Sequence, residues 1–406
     1  MQSSLRSLYV CYLSLDDPLV HSQVVAYLEG LAARGHTVHL LTFDTPLTTE
    51  RTEELRRDLE GRGITWHTRR YHKRPSLPAT EYDAVTGSFA ALRIMRRHRL
   101  DAVHARNHVP AAMALMVKRI SGCRMIFDLR GLMAEEYADA GHWKRGGLPY
   151  RLTQAVQRAA ISRSDAMVML TDAVRRHLFD GKQPGSPLAV IPCCADVASL
   201  NGGSAGTEAD VRTELGAGER PIMIYVGKFT GWYLHGEMVD FFAAARELEP
   251  DLLFVVLSQS DPEIIEREFG RAGIPTSDFR VTQAEPAKVG RYLGAAAFGI
   301  SFVRPCFSKI SSSPTKVGEY LAAGLPVVST AGIGDVDDLL DENRVGVLVR
   351  ELAPCAYEPA AQAAFELAGD MEARERCRAV ARKKLSLAEV GIPRYDALYR
   401  AVAALR

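Results

Sequence analysis

No run of roughly eighteen apolar residues occurs in this 406-residue chain, so nothing in it reads as a membrane-spanning helix. Met1 to Arg6 lead straight into a strand-like segment rather than a signal peptide, which places the chain in the cytoplasm as an expectation. The seven cysteines are scattered, without a CxxC pair or a zinc-ligand spacing, and are read as reduced packing residues. Metal-site spacing is likewise missing. Asp335-Val336-Asp337 has the letters of an Asp-x-Asp motif but opens a helix-like segment, where capping explains it, so no metal is expected. Ser14-Leu15-Asp16-Asp17-Pro18 follows the first strand without the glycines of a dinucleotide fingerprint, which argues against a nicotinamide oxidoreductase. No Gly-x-Ser-x-Gly elbow is present either.

Net charge is nearly absent at +1, but it is unevenly spread: residues 1–180 carry +7 and the remainder −6. Thr68 to Arg74 and Arg93 to Arg99 hold much of the positive excess. A solvated helix face is the plainer explanation of the second cluster, and an anionic membrane surface is the functional one. Basic residues interleaved with aromatics are not seen, so no nucleic-acid partner is expected.

What is present is an ordinary globular composition, 47% hydrophobic and 24% charged, in a chain long enough for two or three domains. Short β-branched runs alternate twice with amphipathic stretches, the pattern of βα units and a parallel sheet. The first series has strands at 8–13, 37–43, 102–104, 124–127, 166–170 and 189–191, with helices at 22–34 and 109–120. The second has strands at 222–226, 252–257, 280–282, 298–302, 326–329 and 346–349. A Gly/Ser stretch at 201–206 punctuates the chain between them. The expected organisation is a first domain over 1–195, a linker over 196–217 and a second domain over 218–384. A last helical segment, 385–406, is broken at Gly391-Ile392-Pro393 and returns to the first domain. Ligands of such sheets bind beyond the carboxyl ends of the strands.

The most informative run is Phe307-Ser-Lys-Ile-Ser-Ser-Ser-Pro-Thr-Lys-Val-Gly-Glu-Tyr-Leu-Ala-Ala-Gly324. A small-polar loop, Ser312 and Ser313 within it, precedes a helix starting at Pro314–Thr315, whose free N–H groups and positive end suit a phosphate. Lys316 adds a cation where the helix dipole disfavours one, which makes sense if an anion neutralises it. Glu319, three residues on, shares that face and can accept hydroxyl hydrogen bonds such as a ribose offers. The alternative is a capped helix with a surface Lys–Glu pair.

This run resembles the donor-site segment of GT-B glycosyltransferases, family 4 in particular. Asp17 to Val24 with Leu31-Ala-Ala-Arg-Gly-His-Thr-Val38 is similar to the family's first loop and helix. Asp101 to Arg106, Phe127-Asp-Leu-Arg-Gly131 with Glu135-Glu136, and Gly332-Ile-Gly-Asp335 resemble a bacterial polysaccharide-type subgroup. The resemblance implies a GT-B fold: α/β, two doubly wound Rossmann-like domains facing a central cleft. It also implies retaining, metal-independent transfer from a UDP- or GDP-linked sugar to a glycan, lipid-linked or small-molecule acceptor; the basic charge of the first domain, independently, suggests peripheral membrane contact. The resemblance further implies donor contacts from Gly227, Lys228, Ser312, Ser313, Thr315, Lys316 and Glu319, with Trp232 or Tyr233 available for stacking and the base near 283–286. Asp128, Arg130 and Glu135 are expected catalytic residues near the acceptor. His104 and Arg106 are weaker candidates, and His21 and Ser22 open the first helix as a phosphate or acceptor loop. The family's pair of glutamates eight apart is incomplete, because Ser311 stands where the first would be. An epimerase of the same fold and a non-catalytic nucleotide-sugar binder stay open.

Overall fold

The computed structural model describes residues 3–72, 74, 76–182, 184–200, 208–229 and 231–405. The chain divides into two compact units, one comprising Met1–Pro192, Phe307–Ser312 and Gly391–Arg406, the other Cys193–Cys306 and Ser313–Val390. Each is a parallel sheet with helices on both faces.

The first unit holds β1 (Arg6–Cys11), β2 (Thr37–Asp44), β3 (Ile64–Arg70), β4 (Ala102–Arg106), β5 (Arg124–Leu129), β6 (Ala166–Met169) and β7 (Leu188–Val190), in spatial order 3-2-1-4-5-6-7. Leu8, Val10, Val103, Met125 and Phe127 point to one face and pack with the helices Ser76–His98 and His108–Ser121. The opposite face carries Tyr9, His104 and Asp128 beneath the C-terminal helix Ile392–Ala404, whose Tyr395 and Tyr399 meet them. Of the expected last segment, 385–406, only residues 391–406 are part of the first unit, 385–390 belonging to the second, and the break at Gly391 falls at the start of this helix.

The second unit holds β8 (Ile222–Val226), β9 (Leu253–Leu257), β10 (Phe279–Thr282), β11 (Phe298–Ser301), β12 (Val327–Thr330) and β13 (Gly346–Val349), in order 10-9-8-11-12-13. Its inner strands β8, β9, β11 and β12 are buried on both sides, and the edge strands β10 and β13 are mostly half-buried. Ile222, Ile224 and Val255 feed one core, while Met223, Tyr225, Phe254 and Val256 feed the other with Phe241, Phe242 and Phe269. Fully burying side chains of this size contributes about 1.5–3 kcal/mol each. In both sheets the order reverses between adjacent strands, at β1/β4 and at β8/β11. Such switch points open a crevice at the carboxyl ends.

The structure departs from expectation in three further places. The strand β3 was not anticipated; as a sheet edge it buries only Ile64 and Trp66, so Ile-Thr-Trp-His-Thr-Arg-Arg reads as polar. Part of the expected linker is structured: Val197–Leu200 and Glu208–Leu215 are helical, and Val211, Leu215 and Ala217 enter the second core. The Gly/Ser stretch at 201–206 lies outside the described residues, as does Lys73 of the basic cluster. His21 and Ser22 do not open the first helix. Asp17 caps it by accepting from the Leu19 N–H at 2.9 Å, Pro18 supplies the first turn, and the Ser22 hydroxyl bonds back to the Pro18 carbonyl at 3.2 Å.

Candidate functional site

Gly227 follows β8 directly, and the chain after β11 leads to the helix Thr315–Ala322, so both elements sit at the second sheet's switch point. The helix is held there by Tyr320, whose hydroxyl accepts the Val226 N–H at 2.9 Å and lies 3.4 Å from the Ile300 carbonyl. Its ring crosses β11 at Gly299, where a Cβ would sit 2.4 Å from the ring. No side chain caps this helix at Pro314.

Lys316, in its first turn, is buried. Its Nζ lies 3.3 Å from the centroid of the Tyr233 ring, 4.5 Å from that of Tyr225, and 3.4 Å from the Tyr225 hydroxyl. Among the described residues no carboxylate oxygen comes within 4.0 Å of it. An ammonium held by two aromatic faces is stabilised by their quadrupoles, but cation–π contact does not replace lost hydration in full. Burial therefore drives the Lys316 pKa well below the usual lysine range, with Glu319 opposing the shift. Burial also raises the Glu319 carboxyl, with Lys316 opposing. The surface Lys–Glu pair is thus not what the helix carries.

Gly227 faces this ammonium. Its φ is +134°, which favours glycine, and a Cβ there would come 3.2 Å from the Lys316 Nζ. The Tyr225 hydroxyl donates to the Lys228 carbonyl at 2.7 Å, fixing the loop and leaving the Lys228 side chain exposed. Thr315 is half-buried at the helix start. The Ser313 hydroxyl accepts the Cys193 N–H at 3.1 Å, and Ser312 donates its N–H to the Lys309 carbonyl at 3.0 Å.

The stretch 307–312 packs within the first unit, so the run from Phe307 to Gly324 is divided between the two. Ser308 donates its N–H to Asp139 at 3.0 Å, Thr171 donates to the Ile310 carbonyl at 2.6 Å, and Lys309 lies 3.4 Å from Glu136. Ser311, where the family has a glutamate, is fully used in packing. Its hydroxyl donates to the Ser308 carbonyl at 2.8 Å and accepts the Leu132 N–H at 3.1 Å.

The expectation that Asp128 acts on an acceptor hydroxyl meets a physical obstacle, because the residue is 0% exposed. Tyr9 and Tyr395 donate to its Oδ2 at 3.1 and 3.0 Å. His104, Arg106 and Arg130 surround it at 3.7, 3.9 and 3.6 Å. Although burial alone would raise its pKa, the Arg130 charge and then His104 and Arg106 carry it well below the carboxylate range. So strong an acid, walled off from water, is an anchor rather than a proton acceptor. It ties β1, β5 and the C-terminal helix together and holds Arg106 and Arg130 at the carboxyl ends of β4 and β5. Arg130 reaches Gln23 at 3.4 Å. Glu135 is also engaged: Tyr150 and Gln154 donate to its Oε1, the latter at 3.0 Å, and Arg145 lies 3.7 Å from its Oε2. His21 is half-buried and Ser22 exposed.

The structure brings the expected residues Lys316 and Gly227 together, with Glu319 on the same helix, and adds Tyr225 and Tyr320, which the sequence did not single out. It also adds a cluster of His39, His67 and His98, whose spacing has no local signature.

Residues 20–199 match the sequence model of Glycosyltransferase Family 4. No curated protein matches the sequence. Among solved structures, a glycosyltransferase from Rickettsia africae superposes with a TM-score of 0.74 at 13% identity, covering 99% of this chain and 100% of that one. HepE of Anabaena, crystallised with UDP and glucose, gives 0.69 at 12% identity over 97% and 99%. Sucrose-phosphate synthase from Thermosynechococcus elongatus gives 0.71 at 15% over 98% and 99%. In sequence, residues 20–199 resemble Glycosyltransferase Family 4, and in fold nearly the whole chain resembles the GT-B glycosyltransferases.

Proposed function

We propose that this protein transfers a sugar, with retention, from a nucleotide-diphosphate donor to a hydroxyl-bearing acceptor. The observation that carries the donor half is the buried Lys316 ammonium, with no carboxylate oxygen within 4.0 Å among the described residues, in the first turn of a helix whose N-cap Pro314 makes no side-chain capping bond, facing Gly227. A diphosphate supplies the missing negative charge. Lys316, the exposed Lys228, the Thr315 N–H and hydroxyl, and the helix dipole then stabilise the charge that develops on the leaving group. In this reading the protein's own cations serve the leaving group, without calling on a metal there. Glu319 takes the ribose hydroxyls. Retention rests on the family resemblance. UDP is the first nucleotide to test, since the Anabaena relative was crystallised with it.

Asp128 is assigned a positioning role, holding Arg130 and Arg106, while Glu135 and His21 are the first-unit side chains to test for acceptor contact. Ser311 leaves the donor sugar without the family's acidic contact, which gives the non-catalytic nucleotide-sugar binder a specific footing. A membrane-proximal acceptor is supported by the outer face of the Ser76–His98 helix, where Tyr82, Val85 and Phe89 are exposed at 56%, 50% and 59% beside Arg93 and Arg96.

Titration calorimetry with UDP, GDP, ADP and their glucose conjugates, on wild type, Lys316→Met and Glu319→Ala, tests the reading. One diphosphate should bind saturably and bind at least tenfold more weakly to both variants, as expected for losing a charged hydrogen bond. Binding by none of them, or equal binding by folded variants, refutes the donor site. Binding without turnover on lipid-linked or free glycans selects the non-catalytic alternative.

A further inference from the structure

His39, His67 and His98 are separated by tens of residues, yet the first unit brings one ring nitrogen of each to within 4.8 Å of the others. The convergence follows from the sheet. His39 on β2 and His67 on β3 lie on one face, their strands in parallel register with Leu41 opposite His67. His98, the last residue of the Ser76–His98 helix, comes down on the same face. The His39 Nδ1 and His67 Nε2 are 3.0 Å apart. The His39 and His98 ring centroids are 4.5 Å apart, and those of His67 and His98 are 5.6 Å apart.

We propose that these three imidazoles form a site for one divalent transition ion of the zinc class, with a fourth position open to water or an anion. Imidazole nitrogens bound tetrahedrally at about 2.0–2.1 Å stand roughly 3.3 Å from one another, so binding would draw nitrogens that already lie within 4.8 Å closer together. His39 is buried and the other two are half-buried, so the site has a route to solvent. Burial lowers the pKa of His39 and His67, which favours the neutral imidazole with a lone pair to give. The groups facing them are His98, Arg56 and Arg97. The two arginines repel a bare cation, and they favour an anion as the fourth ligand.

The cluster lies on mid-strand residues of β2 and β3, away from the carboxyl ends. The ion would join the edge strand β3 and a helix end to β2, so its role is structural and independent of the nucleotide site. The test uses the full-length protein stripped with chelator and titrated with zinc or cobalt(II), with calorimetry, visible absorption and thermal unfolding as readouts. Wild type should take up one ion saturably, show the visible bands of tetrahedral cobalt on nitrogen ligands, and unfold at higher temperature with the ion. His98→Gln and His67→Gln should each lower affinity by at least the roughly 10–100-fold that losing an outer-shell partner costs. Of the two, His98→Gln perturbs the fold least, because it changes a half-buried helix end. Nucleotide titrations should be the same with and without the ion. Substoichiometric uptake, uptake unaffected in both variants, or a thiolate charge-transfer band placing the ion on cysteine would overturn the site, leaving a His–His hydrogen bond.

Discussion

Lys316 shows how far a single residue can be read from sequence and where that reading stops. A lysine in the first turn of a helix after a small-polar loop already signals an anion, because the dipole opposes it. That its ammonium is enclosed by Tyr225 and Tyr233 was not legible, since Tyr225 stands 91 residues earlier and only the packing of β8 beside β11 brings them together. The enclosure has a cost to the resting protein. Replacing Lys316 by Met keeps the side chain's length and removes a desolvated charge, which should stabilise the unliganded protein by about 1–3 kcal/mol while nucleotide affinity falls. Calorimetric unfolding without ligand measures the first effect, and a lower melting temperature would contradict it. The pH dependence has a definite sign. An anionic ligand favours the charged lysine, whose pKa lies below the ordinary range, so wild-type affinity should decline as pH rises toward that range. In Lys316→Met that decline should be lost.

At the scale of elements, periodicity identified most helices and strands but not their partners or every edge. The strand β3 escaped because an edge strand buries alternate residues only, and its other positions are Thr65, His67 and Arg69. The Ser76–His98 helix was partly legible through Arg93, Arg96 and Arg97. Which of its faces stays uncovered was not, since Ala91, Leu92 and Met95 are taken into the core. Spacing by three and four residues places Tyr82, Val85, Phe89, Arg93 and Arg96 along one side. An apolar stripe ending in arginines suits the interface of an anionic bilayer, where each basic residue contributes about 1 kcal/mol. Flotation with vesicles containing phosphatidylglycerol should recover the wild type and lose most of it on Phe89→Ser with Arg93→Ser, with less recovery at high salt. Recovery equal on neutral vesicles, or unchanged in the double variant, would remove this helix from the acceptor argument.

Across the whole molecule, two series of apolar runs pointed to two parallel sheets because strands buried on both faces are apolar throughout. Their order, with reversals at β1/β4 and β8/β11, follows from crossover handedness and packing and is not written in any one strand. The same burial sets the response to acid. His108 in the first unit is buried between the side-chain amides of Asn107 and Gln157, and burial pulls its pKa down to about 4 from 6.5. In the second unit burial, aided by Lys316, brings His235 to about 4 as well. A histidine whose pKa is lower folded than unfolded takes up its proton preferentially in the unfolded chain. The stability it contributes is full above about pH 6.5 and is lost as pH falls from there toward 4. For the fully buried His108 the loss between about pH 7.5 and pH 5 comes to roughly 2 kcal/mol. Asp128 acts lower down: its depressed pKa contributes stability that persists until pH falls through the carboxylate range. Urea unfolding at about pH 7.5 and pH 5 should therefore show the midpoint falling between the two. His108→Gln should recover part of the difference by removing one of the groups that takes up a proton on unfolding. A midpoint unchanged over that interval, or a wild-type slope retained in His108→Gln, would mean that His108 is already protonated in the fold.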